Sequence, residues 1–154
     1  MEPARRVSSI TTPRIAIDVG IIVTNMERSL RFYHDLIGLT IVAEITTTLI
    51  GKGRMVQLKH GKSLIKLVEL ENVPSRQGSP DIGMGLGYRY ITLLVFSINK
   101  IMTKLGQETV AIVVPVTQLN NGATIAMVTD PDGNIVEFVQ EIGETAMECT
   151  IRNP

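Results

Sequence analysis

The sequence predicts an α+β domain in which two βαβββ modules together form a cup-shaped mixed sheet. The order of strand-like and helix-like segments occurs twice along the chain. Residues 18–33 align with residues 90–105 as an apolar strand, a polar cap and an amphipathic helix. Residues 71–87 are rich in Pro, Gly, Ser and Asn and separate the two copies as a linker. A duplication of this length predicts two modules that share one core.

The first module is predicted at residues 14–70. Its β-branched apolar run over 14–23 predicts a strand. Thr24 and Asn25 then cap a helix over 26–37, whose apolar residues recur at helical spacing. Three further strands are predicted over 40–48, 54–60 and 63–70, with glycine-containing turns between them.

The second module is predicted at residues 88–140. Its strands are predicted over 88–96, 110–114, 123–129 and 135–140, with a helix over 100–105. A single domain therefore covers residues 13–142. A flexible arm is expected at 1–12 and a tail at 143–154.

Composition excludes several classes of protein. Hydrophobic residues make up 44% of the 154-residue chain and charged residues 19%, so a packed core is expected. The formal net charge is zero and no basic block is present, which argues against nucleic acid and membrane partners. Cys149 is the only cysteine, so no internal disulfide can form, and a reducing, cytoplasmic location is predicted.

Two segments carry a family resemblance. Residues 19–39 contain VGIIV, SLRFY and LIGL, and residues 128–138 have the sequence VTDPDGNIVEF. They resemble the first strand and helix and the last hairpin of the vicinal oxygen chelate superfamily, which includes glyoxalases, bleomycin resistance proteins and extradiol dioxygenases. The resemblance implies a cup-shaped fold, a homodimer and a small-molecule ligand in the cup. In many members it also implies a divalent metal at the cup floor.

The resemblance also marks four ligand positions, which metal-dependent members usually fill with His and Glu. In this sequence they are Asp18, Lys66, Tyr90 and Glu137. A lysine ammonium repels a divalent ion, and metal ligands must be electron donors. A site without metal or other cofactor is therefore expected. The metal alternative would use Asp18, Tyr90 and Glu137 as ligands.

Strand alternation predicts that these four side chains point into the cup. Tyr88 and Thr92 share the parity of Tyr90, and Met127 is placed to contact a ligand. The neighbours predicted to face the helices are all apolar: Ile17, Val19, Ile65, Leu67, Ile91, Leu93, Val136 and Phe138.

The leading hypothesis is that the ammonium of Lys66 replaces the metal and pairs with Glu137, Asp18 or both. A carboxylate would then act as base, and Tyr90 or Lys66 as acid or oxyanion stabiliser. This chemistry suits a small-molecule lyase, isomerase, epimerase or cyclase. Three alternatives stay open: a sequestering protein of the bleomycin-resistance type, a purely structural ion-pair network, and a metal-dependent lyase or dioxygenase with atypical ligands.

Overall fold

The computed structural model describes residues 16–75, 82–83 and 86–141, so the predicted arm and tail lie outside the described residues. The elements are the strands β1 (Val19–Ile22), β2 (Thr40–Thr47), β3 (Gly53–His60), β4 (Ser63–Leu70), β5 (Tyr90–Leu94), β6 (Ile112–Gln118), β7 (Thr124–Thr129) and β8 (Ile135–Gln140), and the helices α1 (Met26–Leu30), continued by a π-helix (Arg31–Leu36), and α2 (Ile98–Leu105).

The strands form two four-stranded mixed sheets. Sheet A has the order β1-β4-β3-β2, and sheet B has the order β5-β8-β7-β6. In each sheet the first strand of the module runs parallel to the last, and the other pairs are antiparallel. The predicted α+β fold of two βαβββ modules is therefore confirmed. Within the described residues, no strand of sheet A is hydrogen-bonded to sheet B.

The two modules repeat each other down to single hydrogen bonds. The first amide of α1, Met26 N, donates to Glu69 Oε1 at 2.9 Å, and the first amide of α2, Ile98 N, donates to Gln140 Oε1 at 2.9 Å. Both acceptors lie on the last strand of their module and satisfy helix amides that lack an intrahelical partner. Glu69 and Gln140 are therefore equivalent positions, and this equivalence fixes the alignment of β4 with β8.

The first helix differs from the single helix predicted over 26–37. Asn25 caps α1 as expected, since its side chain accepts a hydrogen bond from Arg28 N at 2.9 Å. From Arg31 onward the chain widens into a π-helix, in which Ile37 N donates to Phe32 O at 3.1 Å. The wider turn places Phe32 and Tyr33 together in the core, where both are almost fully buried.

Two strands differ most from their predicted bounds. Among the described residues, β1 begins at Val19, whereas the apolar run predicted a strand from residue 14. In the second module, β6 extends to Gln118 instead of ending at 114. Pro115 lies inside β6, which is an edge strand, and the pairing with β7 shifts its register there.

One hydrophobic core lies between the helices and the sheets and contains residues of both modules. The modules are also joined by a buried hydrogen bond, in which Tyr33 Oη donates to Asp130 Oδ2 at 2.8 Å. Burial, followed by the neighbouring Asp130 carboxylate, holds the pKa of Tyr33 well above its ordinary value. Thr24 adds a second link, because its amide donates to Asp132 Oδ2 at 3.1 Å. The DPDGN turn therefore fastens the second module to the first helix.

No helix in the described part of the chain is long and apolar enough to cross a membrane.

Candidate functional site

Each sheet has one face packed on the core and a second face, here termed the open face. In β4, Ile65 and Leu67 are buried against the core, and Lys66 between them is partly exposed. In β8, Val136 and Phe138 are buried, and Glu137 between them is partly exposed. The predicted alternation therefore holds in both strands. The prediction was wrong for Ile17, which is 84% exposed because it lies before β1 and outside the sheet.

The open face of sheet A carries a row of four residues. Strand pairing aligns Gly20 with Lys66, Lys66 with Gln57, and Gln57 with Ala43. Adjacent members of such a row lie about 5 Å apart. A Cβ added to Gly20 would meet no atom within 4 Å, so the space beside Lys66 is not filled by the described chain.

Lys66 pairs with Asp18 on this face. Its Nζ lies 3.6 Å from Asp18 Oδ2, and the two side chains are 34% and 22% exposed. Asp18 is held in place by Leu64 N, which donates to its Oδ1 at 2.9 Å. At 3.6 Å the ion pair is longer than a direct hydrogen bond. Within residues 16–75, 82–83 and 86–141, the ammonium of Lys66 donates no hydrogen bond.

The open face of sheet B carries the equivalent row. Strand pairing aligns Thr92 with Glu137, Glu137 with Met127, and Met127 with Val114. The Thr92 hydroxyl donates to Glu137 Oε2 at 2.5 Å. The second carboxylate oxygen, Oε1, accepts no hydrogen bond from any described residue.

The other residues predicted for sheet B lie around this row. Tyr90 begins β5 on the same face as Thr92 and is about half exposed. Tyr88 precedes the strand and is fully exposed. Glu137 also borders a shallow cleft of 320 Å³ at the far end of the sheet. Its other lining residues are Leu119, Asn121, Ala123, Ile125, Val139 and Glu141.

The four residues predicted to converge lie as two separate groups in one chain. Asp18 and Lys66 meet on sheet A, whereas Tyr90 and Glu137 share sheet B. In the described part of the chain no hydrogen bond or ion pair joins the two groups. No cluster of three or more His, Cys, Asp or Glu side chains that could hold a metal ion occurs among these residues.

Two features of the site were missed in the sequence. Gln57 was not singled out, although it alternates with the buried Val56 and Leu58 and so faces the same way as Lys66. Thr92 was assigned to ligand contact, and its hydrogen bond to Glu137 was not foreseen. Both follow from strand register, which the sequence alone does not fix.

Solved structures similar to this chain include glyoxalase family proteins. A glyoxalase family protein from Bacillus cereus superposes with a TM-score of 0.74 at 18% identity, over 90% of this chain and 100% of that chain. The trypanothione-dependent glyoxalase I of Leishmania major gives 0.65 at 22% identity, over 89% of this chain and 92% of that chain. A glyoxalase family protein from Enterococcus faecalis gives 0.58 at 20% identity, over 84% and 96%. At these identities the likeness shows the fold alone.

Sequence comparison identifies the family. Among curated proteins, none matches the chain significantly. The family model described as Glyoxalase/Bleomycin resistance protein/Dioxygenase superfamily matches residues 15–138. Because this match spans most of the chain and agrees with the two-module fold, the protein belongs to the glyoxalase/bleomycin resistance protein/dioxygenase superfamily.

Proposed function

We propose that this protein is a small-molecule enzyme that moves a proton on its substrate without a metal ion, as a lyase, isomerase, epimerase or cyclase does. The observation that carries the proposal is the opposite charge of two equivalent positions, Lys66 on sheet A and Glu137 on sheet B. A cation and a carboxylate that face one substrate provide an electrophilic anchor and a base.

The residues at the four family ligand positions do not fit a divalent metal. Lys66 contributes a positive charge and no lone pair while it is protonated. Its ammonium lies 3.6 Å from the Asp18 carboxylate, so that potential ligand already has a cation beside it. An ammonium can supply part of the metal's electrostatic role, because it stabilises negative charge that develops on a substrate oxygen.

Glu137 is the proposed base. Thr92 holds one carboxylate oxygen, which leaves Oε1 to accept a substrate proton. Such orientation matters because a base acts only when it is placed within hydrogen-bond reach of the proton. Tyr90 lies on the same open face and is the proposed proton donor.

A complete site is proposed to form from two chains. The two open faces are not joined within the described chain, and both expose apolar side chains, including Ile22, Ile45 and Leu94. Exposed apolar faces of this kind are typical of surfaces that are covered in an assembly. In a homodimer, sheet A of one subunit would face sheet B of the other, and Lys66 and Glu137 would then meet across a shared cup.

Exchange of substrate protons with solvent tests the proposed chemistry. The protein is incubated in D₂O with a panel of 2-oxo acids and 2-methyl thioesters, and loss of the proton next to the carbonyl is followed by proton NMR. We expect exchange with the wild type and a loss of at least about 100-fold in Glu137→Gln, the magnitude typical of a general base. Glu141→Gln is the matched control, because this carboxylate borders the same cleft.

A sequestering role is the second candidate. It is favoured by the aliphatic row next to Lys66, in which Ile22, Val68, Met55 and Ile45 are aligned across sheet A. Such a surface binds a ligand without chemistry. Tight binding that Glu137→Gln leaves unchanged, together with no exchange in the wild type, would replace the enzyme proposal with this one.

A further inference from the structure

We propose that sheet A holds the anionic end of the ligand, and that the ligand is a small aliphatic monocarboxylate. The proposed clamp consists of the Lys66 ammonium and the Gln57 carboxamide, with Gly20 leaving the space for the carboxylate. This inference rests on the proposed function for the location of the site. It does not depend on whether a reaction follows binding.

Within the part of the chain that the structure describes, the two donors of the clamp make no strong hydrogen bond. Lys66 has an ion-pair partner in Asp18 but donates no hydrogen bond within the described residues. The Gln57 amide has only a weak contact of 3.9 Å with Met55 Sδ. Both side chains are half-buried and lie next to each other in register on the open face. Half-buried donors without strong acceptors favour the binding of an acceptor.

Gly20 makes room for that acceptor. It is the neighbour of Lys66 on β1, opposite Gln57, and its missing side chain leaves a gap that no described atom fills. Its equivalent on sheet B is Thr92, whose hydroxyl occupies the corresponding space and binds Glu137. The two modules therefore differ at this position: one places a hydroxyl beside its charged group, and the other leaves an opening.

The charges of Lys66 and Asp18 together favour a ligand with a single negative charge. The Asp18 carboxylate offsets the charge of the Lys66 ammonium beside it, so one added negative charge is tolerated better than two. A phosphate dianion would also approach the Asp18 carboxylate, and like charges at this range repel. A carboxylate carries one charge and accepts hydrogen bonds from both an ammonium and an amide.

The row of side chains next to the clamp favours a ligand with an aliphatic tail. Two residues further along the strands, at about 6.7 Å, the aligned side chains are Ile22, Val68, Met55 and Ile45. None of these is aromatic, so a flat ring has no stacking partner there. A branched chain of about five carbons spans the distance from the clamp to this row.

Binding of a matched acid and amide tests the clamp. We would titrate the full-length protein with 4-methylpentanoate, 4-methylpentanamide and 3-methylbutyl phosphate, and measure affinity by calorimetry and ligand-observed NMR. The prediction is that the acid binds and that the amide binds at least about tenfold more weakly, since a charge-assisted hydrogen bond is lost. The phosphate is expected to bind more weakly than the acid.

Four variants separate the clamp from general effects. Lys66→Met should lose the preference for acid over amide, and Gly20→Ala should weaken acid binding without lowering the thermal midpoint, because its Cβ meets no atom. Lys52→Met is the matched control, since Lys52 is a paired surface lysine bound to Glu71. Glu137→Gln should retain acid binding. Failed proton exchange by the wild type, together with intact acid binding, would remove the enzyme proposal and leave the clamp.

Several results would overturn the inference. The clamp is contradicted if the acid and the amide bind with equal affinity. It is also contradicted if folded Lys66→Met still prefers the acid over the amide, or if the phosphate binds more tightly than the acid. Absence of acid binding by the wild type at about 10 mM, a generous ceiling for so small a ligand, contradicts it as well.

Discussion

Lys66 and Glu137 occupy the same position of the two modules. Each lies on the last strand of its module, in register with an equivalent residue of the first strand, Gly20 or Thr92. The equivalence is independent of sequence similarity, because it follows from the side-chain hydrogen bonds of Glu69 and Gln140 to the two helix starts. The duplicated fold thus presents a cation on one open face and an anion on the other.

The Lys66–Asp18 pair is predicted to contribute little to stability. Both side chains are partly exposed and 3.6 Å apart, a geometry worth about 1 kcal/mol or less. We expect Lys66→Met to change the free energy of unfolding by no more than this amount in urea denaturation. A loss of about 3 kcal/mol or more would instead identify a buried structural pair and favour a scaffold role over ligand binding.

Tyr33 is predicted to fasten the two modules together. Tyr33→Phe removes a buried hydrogen bond to Asp130, a residue that is 4% exposed, and should cost about 1–3 kcal/mol. Tyr88→Phe removes the same hydroxyl group from a fully exposed ring and should not change the free energy of unfolding measurably. Equal unfolding midpoints for the two variants in urea would contradict this assignment.

The raised pKa of Tyr33 predicts a loss of stability at alkaline pH. The pKa of Tyr33 is raised by burial and by Asp130, so the folded state holds its proton more tightly than the unfolded state does. The contribution of protonated Tyr33 to the free energy of unfolding is fully present below its unfolded-state pKa of about 10. It is lost as the pH rises through the higher pKa of the folded state. Above about pH 10, wild-type stability should therefore fall more steeply than that of Tyr33→Phe. Parallel pH profiles would contradict the prediction.

Ser29 and Ser97 are predicted to respond oppositely to alanine. Ser29 is fully buried in α1, and its Oγ has no hydrogen-bond partner among the described residues. Removing that hydroxyl should stabilise the fold by about 0.5–1 kcal/mol, since alanine also favours the helix. Ser97 caps α2 by accepting a hydrogen bond from Lys100 N, so Ser97→Ala should cost about 1 kcal/mol. Thermal denaturation of both variants measures the difference. Destabilisation by Ser29→Ala would show that the hydroxyl has a partner.

Mixing two inactive variants tests the shared site. If Lys66 of one subunit faces Glu137 of the other, a heterodimer of Lys66→Met and Glu137→Gln contains one site with both changes and one with neither. Proton exchange should then recover to about a quarter of the wild-type rate after random reassortment of subunits. No recovery, with mixed dimers demonstrated by native mass spectrometry, would place both residues in a site within one chain.

The sequence predicted the repeated elements and the alternation of the strands, because both arise from local periodicity. Ile65, Leu67, Val136 and Phe138 are buried as the two-residue period requires. The position of Gln57 next to Lys66 on the open face of sheet A was not predicted. It depends on the register of β3 against β4, which is set by turns and packing. The π-helix was also missed. A helical period in the sequence does not distinguish the α-helical from the π-helical hydrogen-bond pattern, which the structure shows from Arg31 to Leu36.

Metal content decides whether the site works without a metal ion. The protein would be expressed in medium supplemented with Mn, Fe, Co, Ni and Zn, and bound metal measured by elemental analysis for the wild type and Glu137→Ala. We predict far less than one metal per chain in both, because the ammonium of Lys66 occupies a position where a metal ligand would be needed. Near-stoichiometric metal in the wild type that disappears in Glu137→Ala would contradict this prediction and would identify Asp18, Tyr90 and Glu137 as the ligands.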